Sequence, residues 1–188
     1  FVEGIAGIGT TKEVSNPNTL DSKNTVIRTA AMDCYILPCE YMGFDTTSIA
    51  SSDTFAALQT GVVEGLAGST PAGAYLNYRD IIDYYYVYQM SPEVTQIMIS
   101  EKTLAKLSPE DQKTIVDICR QECANSVNYA KEEDEKYLKL MEDNGIKIVR
   151  FSDEEIEMFA EAVRTNVWPN LAKTYGEDFI NELLKLYK

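Results

Sequence analysis

Apolar positions in the first hundred residues come in short runs, separated by Gly, Thr, Ser and Tyr. Runs of this length, closed by turn residues, suit buried strands better than long helices. The opening FVEGIAGIGTT reads as a strand already under way. Residues 24–29, Asn-Thr-Val-Ile-Arg-Thr, are β-branched and predict a second strand. Residues 30–42 are apolar enough for a helix that Pro38 keeps short or kinked and Gly43 stops. Residues 46–49 predict another short strand. Ser51 or Ser52 is placed to cap a helix through Phe55 and Leu58, with Gly61 just past its end. Val62-Val63 reads as a brief strand and residues 65–71 as a turn, after which Pro71 suits the first turn of a helix. Residues 84–88 and 94–99 are strand-like. Strands alternating with helices predict an α/β fold with a mostly parallel sheet.

The second half has a different period. Ser108-Pro109-Glu110-Asp111 sets a cap, a first-turn proline and two early acids in order. Apolar positions then recur from Ile115 to Met141 until Asn144-Gly145. At about 1.5 Å per residue this helix is on the order of 50 Å long. A compact domain of this size does not need that length, so the helix crosses between two lobes or reaches a partner chain. Residues 146–149 predict a strand. Ser152-Asp153-Glu154-Glu155 caps a helix running to about Trp168, broken by Pro169, and a last helix follows Gly176. The chain divides into an α/β ligand-binding lobe, residues 1–93, and residues 94–188, which hold a crossover strand, the long helix and the C-terminal helices.

Charge narrows the function. Among 188 residues, 17 are basic and 30 acidic, a net charge of −13. That balance gives no electrostatic footprint for nucleic acid and is repelled by an anionic membrane surface. Histidine is absent, which removes Ser-His-Asp and Cys-His catalysis and any His-ligated metal. No apolar run is long enough to span a membrane. The chain begins with Phe1 rather than Met, which suggests processing or sequence upstream.

Few residues then carry candidate chemistry. Arg28 ends an apolar strand, where a partly buried guanidinium must find an anion. Its planar fork suits a ligand carboxylate, and an internal salt bridge is the alternative. Cys34, Cys39, Cys119 and Cys123 read as buried thiols acting as small hydrophobes, with a four-thiolate zinc site as the looser option. Tyr84, Tyr85, Tyr86 and Tyr88 alternate between two faces of a strand and default to packing. The 65–71 turn could aim hydroxyls and N–H groups at an anion, aided by the helix N-terminus that follows.

The segment FAALQTGVVEG, residues 55–65, closely resembles the "ALQTGVVDG" signature of solute-binding proteins of tripartite ATP-independent periplasmic (TRAP) transporters, the DctP type. Three more matches fall in family order. Val26-Ile27-Arg28 resembles the family's "KIR" strand, KLSPEDQK at 106–113 the lead into its long helix, and Asn144-Gly145-Ile146-Lys147-Ile148 the "GVKI" after it. The resemblance implies a type II periplasmic-binding-protein-like, two-lobed α/β protein. Such a protein closes on a small organic acid outside the cytoplasm and delivers it to a membrane permease, without enzymatic chemistry, cofactor or metal. It implies Arg28 as the carboxylate clamp. Where the family often has "QENP", with an asparagine that contacts ligand, this chain has Leu66-Ala67-Gly68-Ser69-Thr70-Pro71. Thr70 or Ser69 takes the asparagine's place, and Gly68 and Leu66 leave room for a larger acid. Thr47 and Ser48 match the strand before the signature helix, and Tyr75 and Arg79 are further candidates. The match begins well inside the family pattern, so most of the N-terminal lobe lies outside this sequence. The expected consequences are weak ligand affinity and a homodimer that covers the surface left by that lobe.

Overall fold

The computed structural model describes residues 1–186. Its main sheet has six strands in the order β4-β3-β5-β2-β6-β8. These are β2 (Gly7–Thr10), β3 (Val26–Thr29), β4 (Asp45–Ser48), β5 (Gly65–Ser69), β6 (Tyr84–Tyr86) and β8 (Lys147–Val149). β3 runs parallel to β4 and β5, and β6 parallel to β8; β2 alone is reversed against its neighbours β5 and β6. A separate antiparallel ribbon pairs β1 (Val2–Ile5) with β7 (Pro92–Val94).

Side-chain alternation builds a layer on each face of the main sheet. Ile27, Ala67 and Tyr86 pack on one face with Phe159 and with Cys39 and Met42. These belong to or adjoin α1 (Asp33–Tyr41) and α6 (Asp153–Asn166). Their strand neighbours Leu66 and Tyr85 turn the other way, onto Leu58, Ala74, Leu138 and Met141. Those come from α2 (Thr54–Gln59), α3 (Pro71–Tyr78) and the long α5 (Pro109–Asp143). Tyr84, Tyr86 and Tyr88 stack in series on the first face, ring centroids 6.2 and 6.0 Å apart. α7 (Trp168–Tyr175) and α8 (Glu177–Lys185) form a smaller cluster through Leu171 and Ile180.

The long helix has 35 residues, capped by Ser108, whose hydroxyl accepts from the Asp111 amide. Its buried residues begin only at Ser126. That half is tied to the ribbon. The Val2 amide donates to Ser126 Oγ and the Ile5 amide to Asp134 Oδ2, each at 2.8 Å.

Several expectations are corrected. Residues 65–71 are not a turn but strand β5 followed by a helix cap. The glycines reflect close approach: a Cβ on Gly65 would stand 2.7 Å from the Gly9 carbonyl oxygen of β2. Val62-Val63 forms no strand and lies in the turn after Gly61, whose φ is +71°. The opening segment is two strands in two sheets, separated at Ala6. Of residues 94–99 only Val94 belongs to a strand, β7, and Thr95 follows it by donating its amide to the Phe1 carbonyl at 2.9 Å. A single 3-10 turn, Ser51–Asp53, precedes α2, and no side chain caps that helix. Pro169 begins α7 rather than merely ending α6, since a proline lacks only an N–H that a first turn leaves unused. All four cysteines are free; only Cys39 is buried, with its thiol pushed up to about 12 by desolvation, and Cys34 is exposed. The pairs sit on α1 and α5, and among the described residues no group of His, Cys, Asp and Glu could hold a metal.

Candidate functional site

A polar cleft of about 320 Å³ lies where β3 and β5 end and α3 begins. The carboxyl ends of parallel strands are the usual ligand side of such sheets, because loops and helix N-termini converge there. Arg28 reaches this cleft from β3. Its Nε donates to the Ile49 carbonyl at 2.8 Å, which fixes the plane of the guanidinium. Among the described residues it makes no ion pair and no other hydrogen bond, so the internal salt bridge weighed from the sequence is not formed. A partly buried guanidinium with free terminal nitrogens has the donors that an anion needs.

β5 and α3 supply the facing wall. Thr70 caps α3, its Oγ accepting from the Gly73 amide at 3.1 Å, with Pro71 at the first helical position. Ser69 is held from behind: the Tyr85 hydroxyl donates to its carbonyl at 2.7 Å. Burial raises the pKa of that phenol far above its ordinary value, so it stays protonated and donates. Gly68 completes the wall with a left-handed φ of +78°.

The remaining candidates are placed apart. Thr47 pairs directly with Arg28 across the parallel register, and Ser48 with Thr29, but both sit on edge strand β4 and do not line the cleft. Tyr75 faces away from it, its ring 5.8 Å from that of Tyr137 on α5, with Arg79 stacked over it at 5.0 Å. From the same helix, Gly73, Asn77 and Tyr78 line the cleft instead.

Sequence reasoning missed two acids here. Glu3 of β1 and Glu93 of β7 line the same cleft as Arg28. Glu93 accepts from Ser91 Oγ at 3.1 Å and from the Tyr35 hydroxyl at 3.3 Å. Burial and the Glu93 charge raise the Tyr35 phenol above its usual value, so it too stays protonated. Pairing of residues 2–5 with 92–94 brings both acids in, and only a correct reading of that ribbon could have signalled them.

This arrangement defines a class first. Solved structures titled as TRAP periplasmic solute binding proteins share the type II periplasmic-binding-protein-like fold. One from Desulfovibrio salexigens, with bound orotic acid, superposes with a TM-score of 0.80 at 15% identity, over 100% of this chain and 59% of that one. One from Chromohalobacter salexigens, with bound D-glucuronate, gives 0.78 at 17% identity, over 98% and 60%. One from Shewanella oneidensis, with bound succinate, gives 0.72 at 18% identity, over 96% and 59%. This chain thus spans about three fifths of the length of those proteins. No curated protein matches it in sequence. The profile of bacterial extracellular solute-binding protein family 7, DctP, matches residues 2–174, and the chain belongs to that family. Its members are binding proteins rather than enzymes and act outside the cytoplasm. Among the described residues no helix is long and apolar enough to cross a membrane.

Proposed function

We propose that this chain contributes the Arg28 half of a binding site for a small organic carboxylate, delivered to the membrane subunits of a TRAP-type secondary transporter. The observation that carries this reading is Arg28, oriented by the Ile49 carbonyl and otherwise without a partner among the described residues, in a polar cleft beside the α3 N-terminus. The acids bound by the fold relatives, orotate, D-glucuronate and succinate, share the group that a guanidinium fork holds best. Thr70, Ser69 and the Gly68 backbone would add neutral donors, with Thr47 and Ser48 supporting the strand end. Tyr75 braces α3 against α5 and is not part of the proposed contact set. Titration calorimetry with succinate and D-glucuronate tests the reading. Arg28→Ala should cost about 2–5 kcal/mol of binding, as loss of a buried charge-assisted partner does. Unchanged affinity would remove Arg28 from the site.

A second reading, an interaction module that dimerises through the long helix without a ligand, has its own observation. Val94, Ile97, Met98 and Ile99 are exposed and lie against Ile115, Val116 and Cys119 of α5. A groove of about 900 Å³ runs between these segments. Multi-angle light scattering separates the two: a monomer at micromolar concentration that binds succinate excludes the module reading.

A further inference from the structure

Behind the polar cleft, on the opposite face of the sheet, lies a second cavity of about 350 Å³. Its walls are mostly apolar, with Met42, Tyr88, Met90, Phe159, Trp168 and Leu171 among them, and Gln89 and Ser91 at the polar part. The two cavities share one residue, Gly68. They also meet along one short segment, Ser91 and Pro92 lining the apolar side and Glu93 the polar side.

Tyr35 lies across this join. Its ring packs on Gly68 so closely that a Cβ there would stand 3.0 Å from the ring. Its hydroxyl reaches over to Glu93 by two long bonds of 3.3 and 3.4 Å. Gly68 therefore meets two demands that no other residue meets together: a left-handed backbone, and room for an aromatic ring on top of it. Bonds that long hold the ring weakly, so its displacement by a ligand is cheap. An apolar cavity of about 150 Å³ already accepts benzene, so this one has room for a phenyl-sized group.

We propose that the ligand is an amphiphilic carboxylic acid, its carboxylate on Arg28 and a phenyl-sized apolar body beyond Gly68, with Tyr35 as the side chain that governs entry. This rests on the carboxylate reading above and narrows it. A short dicarboxylate or a polyhydroxylated sugar acid would leave the apolar cavity unused.

The test uses the 188-residue chain labelled with 13C at its methionine methyls, titrated with 3-phenylpropionate and, separately, with succinate. Met42 and Met90 line the cavity, whereas Met98 and Met141 lie elsewhere and serve as internal controls. 3-Phenylpropionate should shift the Met42 and Met90 resonances and leave the controls in place, and succinate should shift neither pair. Calorimetry on Ala160→Trp, which fills the cavity from α6, should lower the ratio of 3-phenylpropionate to succinate affinity at least tenfold. If succinate binds in an Arg28-dependent way while 3-phenylpropionate leaves Met42 and Met90 unmoved, the amphiphilic assignment is wrong and the carboxylate reading stands. If neither acid binds, both fall.

Discussion

The two halves of α5 are one continuous helix with opposite fates. From Ser126 onward it buries Ala130, Leu138 and Met141 against the sheet and holds strand β1 through Ser126 and Asp134. Before Ser126 no residue of it is buried, Ile118 stays 54% exposed, and the neighbouring Met98 is 82% exposed. Helix formation is a local matter of caps, propensity and length, and both halves satisfy it. Burial is not local, because it needs a partner surface, and only the second half has one here.

Substitutions on the two halves should separate these effects. Leu138 is 1% exposed, and Leu138→Ala should lower unfolding free energy by about 2–5 kcal/mol through lost burial and a residual cavity. Ile118→Ala, one helix but a different environment, should stay within about 0.5 kcal/mol. Urea denaturation of both variants compares them, and equal losses would mean that the first half is packed in solution.

Asp134 is the charged side chain buried along the packed half. Its Oδ2 accepts from the Ile5 amide, while Oδ1 has no partner among the described residues and lies close to Gly4. Desolvation, with a smaller push from the Glu135 charge, raises its carboxyl from an ordinary 3.8 to about 6. The folded protein then holds this proton more tightly than the unfolded chain does. The contribution is favourable below about pH 4 and is lost as pH rises through 6. Asp134→Asn keeps an acceptor for Ile5 without the charge. It should stabilise the protein on the order of 1–2 kcal/mol at pH 8 and have little effect at pH 4. A gap that does not change with pH, followed by thermal denaturation, would mean that Asp134 keeps an ordinary carboxyl.

The smallest contrast concerns caps. Ser152 forms a reciprocal capping box with Glu155 at the start of α6, whose Phe159 is buried in the core. Ser152→Ala should cost about 1 kcal/mol. Ser108→Ala removes a similar cap from the unpacked end of α5, where fraying is already cheap, and should cost only a few tenths of a kcal/mol. Amide hydrogen exchange at the two helix starts would reveal the difference.

Much of this architecture is legible in the chain alone. Ser108-Pro109 and Ser152-Glu155 mark their helix starts because capping is chemistry between residues three apart. Strand β3 announces itself by β-branching, and Arg28 by being a charge at the end of an apolar run. The misreadings share one cause. Glycines at 65 and 68 look like a turn when only the sequence is considered, yet in β5 they let two backbones and the Tyr35 ring come close. Residues 94–99 have strand composition, but among the described residues those past Thr95 pair with no strand.

By itself, then, the sequence determined what depends on near neighbours: most of the helices, the caps at Ser108 and Ser152, the alternation that puts Tyr85 and Tyr86 on opposite faces, and a guanidinium at the end of an apolar strand. Tertiary structure alone decided that Glu3 and Glu93 share a cleft with Arg28, that Tyr75 turns from the cleft to Tyr137, and that a largely apolar cavity opens behind Gly68. The physical reason is that a site is an intersection of elements distant in the chain. Its geometry follows from which surfaces pack together, and local pattern does not encode that choice.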